Sequence, residues 1–544
     1  MKHMKKAYFV NYWLILIFLL NSSILTLAQN INSDEENKSH TGNCTSIMVG
    51  RLATTDGSVI TSHTCDGPYR TWLEVFPHTK YEKGAVHSVY SGTLNPRETS
   101  WDMRNVRKTG EITEVEETYA FLNTAYPCLN EKQLAIGETT IGGRPELRNE
   151  NGIFYIEELE KIALQQCTKA REAITLIGKL AEEYGYGDYA ECITIADPKE
   201  VWQLEIAGSG KGKPSAIWCA ERIPDDHVGV SANMPRISTI DFKNPDLFMY
   251  STNLQKTAKN LGYWDGNEPM KFWKVISSFG KPYGTREFYI LSTLAPSLKL
   301  SVDTTELPFS VRPEKKLSPQ DVIKYFRETY EGTQLDMTKN LMITVRKKDD
   351  NGNEVEEKIK SPAVSNWMSQ DLRRLLNELK PGVVTSRYTI AQNFCSYSHV
   401  IQCRSWLPDE VGSVAWFSFD NPAMSPRIPI FSGTLSLPES FKICGQQRYT
   451  HDAAIWSFRE TNRLAAINWS QGRMLIEPAV KELEDKGFEE MPVIEKKVVE
   501  LVKEGKNEEA KQYVTTYTNN FAYAVMKRWE EMKVPLWSSF SMGF

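Results

Sequence analysis

The chain changes character at Cys44, and that boundary constrains its folding more than any other feature. Lys2, Lys5 and Lys6 give a basic start, and Trp13 to Leu20 is an unbroken apolar run. Thr26-Leu27-Ala28 then supplies the small residues a signal peptidase inspects, with cleavage before Gln29. The apolar run is too short to span a bilayer. Residues 1–28 therefore read as a signal peptide and 29–43 as a polar pro-segment. No stable membrane insertion is expected after cleavage, and the protein is expected to be exported, periplasmic or extracellular. A lipid-anchored form is excluded because Cys44 lies well beyond the apolar run, behind His40-Thr41-Gly42-Asn43. From Cys44 to Gly50 the sequence reads as a strand. A cut between Asn43 and Cys44 would leave a cysteine carrying both a thiol and an α-amine that titrates near ~7.7–8.0. One residue then supplies nucleophile and base together. Taken alone, a half-buried strand cysteine is the more ordinary reading.

With 544 residues, 41% of them hydrophobic, there is material for a large core. The formal charge of −5 and the lack of a basic stripe exclude nucleic acid as an expected partner. The nine cysteines include no C-x-x-C pair. In an oxidising compartment eight could pair and one would stay free, with Cys44 the candidate.

Strand signals recur at Gly57–His63, Gln133–Glu138, Cys192–Ala196, Val201–Ile206, Ala216–Ala220, Tyr397–Trp406, Val414–Phe419 and Ile428–Phe431. Ala53-Thr54-Thr55-Asp56-Gly57 reads as a turn, and so does Asp349-Asp350-Asn351-Gly352. Gly208-Ser209-Gly210-Lys211-Gly212-Lys213 lacks the Ser/Thr and the helix of a P-loop and reads as a hairpin tip. Helical periodicity runs through Ile156, Leu159, Ile162 and Ala163 and continues through Ala173, Leu176, Ile177 and Leu180 until Gly185. Ser318-Pro319 opens a second helical region, with Val322, Ile323, Phe326 and Tyr330 inward. Long connections separate these two. Past Pro438 the pattern is helical over His451–Asn468, Leu475–Lys486, Val493–Glu504 and Glu508–Met532, with breaks at Gly487, Pro492 and Gly505. The aromatic-rich end, Trp537–Phe544, packs back or meets a partner, which leaves a homo-oligomer open. The whole is an α+β class with layered sheets and a helical C-terminal extension: residues 44–438 form the main domain and 439–544 the extension.

Three blocks resemble a known family. Asn43-Cys44-Thr45-Ser46-Ile47-Met48-Val49-Gly50, followed by Ala53-Thr54-Thr55-Asp56-Gly57-Ser58-Val59-Ile60, is similar to the start of the dipeptidase A family of cysteine peptidases. These are N-terminal-nucleophile hydrolases, related to penicillin V acylase and bile salt hydrolase. The resemblance continues at Ile223–Asn233 and at Ser398–Pro408, in the family's order. It implies an αββα four-layer core and a secreted cysteine dipeptidase working through a Cys44 acyl-enzyme, with autocatalytic removal of the pro-segment.

By the same resemblance, Asp66 matches an aspartate that would hold and orient the Cys44 amine. Asn233 matches an oxyanion-hole amide, a type of donor whose loss costs on the order of 10²–10³ in rate. Arg404, at a strand end, would lower the thiol pKa if it lies near the thiolate; a surface salt bridge is its ordinary alternative. Asn130-Glu131-Lys132-Gln133-Leu134-Ala135-Ile136 resembles a strand start of these hydrolases and would set Glu138 at the cleft rim. There its carboxylate would bind the substrate's free amine. Relatives carry Arg-Asn-Glu-Asp where this chain has His63-Thr64-Cys65-Asp66, so the charge around the nucleophile differs; Cys65 is expected to pack or pair. The eight histidines are scattered, and neither metal nor organic cofactor is expected. Small peptides, dipeptides foremost, are the expected substrates. An N-acyl amide hydrolase on the same scaffold and a non-catalytic secreted binding protein are the two alternatives.

Overall fold

Val59–Asp66 is a β-branched-rich strand with all eight residues buried, a pattern that requires cover on both faces. In the computed structural model, which describes residues 44–542, that cover is a second sheet. The expected signal peptide and pro-segment lie outside the described residues. The first sheet has seven strands in the order Ser310–Val311, Val228–Ser231, Ser46–Val49, Val59–Asp66, Cys395–Cys403, Ser413–Phe419, Ile428–Phe431. The second has eight, in the order Phe248–Tyr250, Ala216–Ile223, Val201–Gly208, Ala190–Ala196, Ala135–Gly142, Leu129–Asn130, Phe121–Asn123, Glu74–Phe76. All pairings within both are antiparallel.

The sheets meet closely beneath the nucleophile strand. A Cβ on Gly137 would stand 2.4 Å from the Ser62 carbonyl oxygen, so only glycine allows that approach. Across the same seam, the Thr61 and Thr194 hydroxyls hydrogen-bond at 2.6 Å. Helices Ile156–Gln166 and Ala170–Tyr184 pack on one another, and the latter covers the eight-stranded sheet. Helices Thr285–Leu294 and Pro319–Phe326 lie on the seven-stranded sheet, along with the C-terminal helices. Strands and helices therefore mix in an α+β arrangement, as the periodicities indicate. The Gly208–Lys213 segment is the tip of the hairpin between Val201–Gly208 and Ala216–Ile223.

Several elements differ from the expectation. The single helical run ending at Gly185 is two helices, broken at Cys167–Lys169. There the Asp197 carboxylate accepts the Ala170 N–H at 2.9 Å and starts the second helix. The connection before Ser318 holds three helices that the sequence did not announce: Leu254–Asn260, Phe272–Ile276 and Thr285–Leu294. Pro319–Phe326 does start at a Ser318 cap, but it ends before Tyr330, which is buried after the helix with φ +64°.

Gly487 and Pro492 do not break the C-terminal pattern. Trp469–Lys503 is one helix containing Pro478 and Pro492, and the real break is at Gly505, φ +75°. A helical proline costs about 3 kcal/mol. Ile476, Val480, Leu483, Met491, Ile494, Val498 and Leu501 are buried along the helix, at roughly 1.5–3 kcal/mol each, and outweigh that cost. Gly487 fits because the Trp416 and Phe521 rings would press to 3.2 Å from any Cβ there. All nine cysteines are buried free thiols, so the pairing that an oxidising compartment would permit is not formed.

Candidate active site

The pairing of Ser46–Val49 with Val228–Ser231 matches Ser46 to Ser231. Continued two residues, the same register sets Cys44 opposite Asn233. On the other side Thr45 and Thr64 bridge: Thr64 N–H donates to the Thr45 carbonyl at 2.9 Å, and Thr45 N–H donates to Thr64 Oγ1 at 2.9 Å. Cys44 is thus fixed between two strand ends, at the rim of the sheet where Val59–Asp66 terminates.

One guanidinium gathers the surrounding groups. Arg286 donates from Nη1 to the Cys44 carbonyl at 2.7 Å and to Thr45 Oγ1 at 3.1 Å. From Nη2 it donates to the Ala232 carbonyl at 3.1 Å and to Asn233 Oδ1 at 2.8 Å. That last bond fixes which end of the Asn233 amide donates: Nδ2 gives its proton to the Thr140 carbonyl at 2.8 Å. Asn233 holds φ +64°, a conformation asparagine tolerates better than most residues. Glu287 ties the helix start to the strand end, accepting Gly284 N–H at 2.9 Å and Ala232 N–H at 3.1 Å.

Among the groups around the Cys44 thiol, the Asp66 backbone favours the ionised form. Asp66 Oδ2 accepts the Thr64 hydroxyl at 2.8 Å, whereas Oδ1 is buried without a hydrogen-bond partner. Burial raises the Asp66 carboxyl to about 7, against the Cys395 thiol, Thr64 and Arg286, which favour its ionised form. Burial first, then Glu138, Cys65 and Asp66, pushes the Cys44 thiol well above its ordinary value. With Asn43 still attached, the nucleophile is therefore a protonated thiol.

Glu138 is not at a rim. It is fully buried within a strand paired along its length with Ala190–Ala196, and its Oε2 lies 3.5 Å from His63 Nε2. Burial lowers His63 well below its ordinary pKa, with His399 adding to the effect. Burial raises Glu138. Burial favours the neutral form of both groups, and the carboxyl lies inside the sheet beside the nucleophile rather than at the cleft mouth.

Arg404 is also elsewhere. Cys395 pairs with Asp66 and Cys403 with Val59, so Arg404 follows the far end of the same strand pair. Nine residues at ~3.3 Å each put it roughly 30 Å along the strand from the Asp66 end. Its guanidinium is spent on the Gly412 and Val411 carbonyls and on Glu495. It cannot tune the thiol; it joins the sheet to the C-terminal helix, a buried form of the salt bridge that was its ordinary alternative.

The fold brings Cys44, Asp66, Asn233 and Glu138 together and leaves Arg404 out. Sequence reasoning missed Arg286, although a signal existed. Glu287 sits at the third position of a helix starting after Gly284, the capping place for a carboxylate. An arginine beside it opposes the helix dipole, which marks a cation held for another purpose.

The sequence profile of peptidase family C69 matches residues 43–482. A protein named "Probable dipeptidase" from Latilactobacillus sakei is 26% identical over 416 residues, 73% of this chain and 76% of its own length. "Probable dipeptidase B" of Lactococcus lactis subsp. lactis (strain IL1403) is 24% identical over 414 residues, covering 74% and 77%. "Probable dipeptidase" of Salmonella dublin is 24% identical over 402 residues, covering 72% and 81%.

Proposed function

Because the chain belongs to peptidase family C69, we propose that it is an exported cysteine dipeptidase whose nucleophile is Cys44, freed as the chain terminus by loss of residues 1–43. The stacked sheets with helices on their outer faces serve as the αββα core of an N-terminal-nucleophile hydrolase. The names carried by the relatives favour dipeptides as substrates. The observation that carries the mechanism is the buried, unpartnered Oδ1 of Asp66, at the end of the strand whose Thr64 bridges to Thr45 beside Cys44.

Cutting the Asn43–Cys44 bond turns an amide nitrogen into an amine. That amine accepts the thiol proton, and the Asp66 carboxylate holds the ammonium that results. The thiolate attacks the peptide carbonyl, the amine returns the proton to the leaving amino group, and water then cleaves the acyl-enzyme with the amine again as base. Asn233 Nδ2, now on the Thr140 carbonyl, turns to the oxyanion. Arg286 acts as a positioning residue: it holds Asn233 Oδ1 and the Cys44 carbonyl at once.

The test is a substrate panel on purified processed protein. Hydrolysis of unblocked dipeptides, with N-acyl amino acids and conjugated bile acids untouched, supports the reading. The reverse preference assigns the same machinery to N-acyl amides, and no turnover of either makes the protein a binding scaffold.

A further inference from the structure

The mechanism leaves His63 unused, and this side chain, like its neighbour His399, is unsatisfied. Both ring nitrogens are buried without a hydrogen-bond partner, and so is Oε2 of Glu138. Its ring is walled edge-on by Tyr126 at 5.5 Å, Tyr397 at 5.8 Å and His399 at 5.5 Å between centroids. Leaving buried polar atoms unpaired is unfavourable, so these atoms stand ready for a partner that the polypeptide does not supply.

Cys44 Sγ, a His63 ring nitrogen and a Glu138 carboxylate oxygen lie within 4.8 Å of one another. We propose that these three side chains form a zinc site, which takes a thiophilic divalent cation directly onto the nucleophile. The donor set selects the metal. Thiolate and imidazole suit zinc, whereas magnesium and calcium need oxygen ligands. Geometry agrees on the measured edge. Zinc bonds of about 2.0–2.1 Å to nitrogen and oxygen make a tetrahedral edge of about 3.3–3.4 Å, and His63 Nε2 stands 3.5 Å from Glu138 Oε2. The histidines are scattered in sequence, which is why no metal was expected; the fold sets His63 and Glu138 on facing sheets.

Binding displaces the thiol proton and the carboxyl proton to solvent, while the imidazole enters neutral. Three protein donors leave a fourth position for water. If Cys44 is the chain terminus, an expectation that rests on the proposed processing, its amine closes a five-membered chelate with its own sulfur. A thiolate shared with zinc cannot attack a carbonyl, so metal and substrate exclude one another.

The test is a titration of chelator-treated protein with Co²⁺ alone, followed by Zn²⁺. The expected result is one equivalent bound, with a sulfur-to-cobalt charge-transfer band and tetrahedral d–d bands that zinc bleaches. Cys44→Ser should abolish the charge-transfer band, and His63→Gln should weaken binding at least tenfold. If either variant fails to fold, alkylation of the unsubstituted protein decides instead: one equivalent of Zn²⁺ should protect Cys44 from iodoacetamide, read by peptide mass. No cobalt bound, a band that survives in Cys44→Ser, or Cys44 alkylated equally with and without zinc overturns the site. Because cobalt binding is read without substrate, a protein that hydrolyses no dipeptide yet binds cobalt keeps the site. One that hydrolyses dipeptides without binding cobalt loses only the site.

Discussion

Two buried arginines stand near opposite ends of one strand pair, and their partners differ in kind. Arg404 donates to the Gly412 and Val411 carbonyls and meets Glu495. Arg286 donates to the Cys44 carbonyl, Thr45, the Ala232 carbonyl and Asn233. The first closes a helix-to-sheet joint with its charge matched by a carboxylate. The second spends its donors on the nucleophile residue and on the amide assigned to the oxyanion, beside a carboxyl raised to about 7 and an unpartnered histidine. Burial alone does not distinguish structure from chemistry. Unpaired polar atoms around the shared contacts do.

The contrast can be broken most severely at the nucleophile. Cys44→Ala should lower dipeptide hydrolysis on the order of 10⁴-fold or more and leave the chain uncut before residue 44. Next in size, Asn233→Gly removes the amide without straining a positive φ, and should lower kcat on the order of 10²–10³ with KM little changed. Arg286→Met should fall in the same range and also lower the melting temperature, since it strands four acceptors. Arg404→Met should instead leave kcat/KM within a few-fold of the parent while costing about 3–5 kcal/mol of stability, the usual result of breaking a buried pair. Equal kinetic damage from the two arginine variants would erase the distinction.

The smallest effect concerns pH. The folded-state pKa of Asp66 rises from 3.8 to about 7, so between these values the native state binds the proton more than the unfolded chain does. Its contribution to stability is fully present below about pH 4 and falls as pH rises to about 7, then stays flat. In the uncut Cys44→Ala chain, Asp66→Asn should remove that slope, as urea unfolding at several pH values would read. In the processed protein the adjoining ammonium should pull the Asp66 titration back down.

The main strands were legible because β-branched and alternating runs report burial directly. Helices Leu254–Asn260, Phe272–Ile276 and Thr285–Leu294 were not. Two of them are under eight residues, too brief to show a period, and the third begins on a glycine rather than a capping side chain. Pro492 misled because propensity is local, whereas the buried stripe along Trp469–Lys503 is tertiary. In the site, Cys44, Asp66 and Asn233 were proposed from ordered sequence blocks, and the fold sets them at neighbouring strand ends. Glu138 was expected at the cleft rim but lies buried beside the nucleophile, because a strand's sequence does not say how deeply the opposite sheet covers it. Arg404 failed for a related reason: the strand-end position was right, but the register that decides which end lies near Cys44 is set by pairing across more than three hundred residues.

The direct measurement is the intact mass and N-terminal sequence of catalytically active protein. A first residue of Cys44, with residues 1–43 absent, is the predicted result. Fully active protein that retains His40-Thr41-Gly42-Asn43 ahead of Cys44 would contradict the account, because the amine that serves as base would not exist.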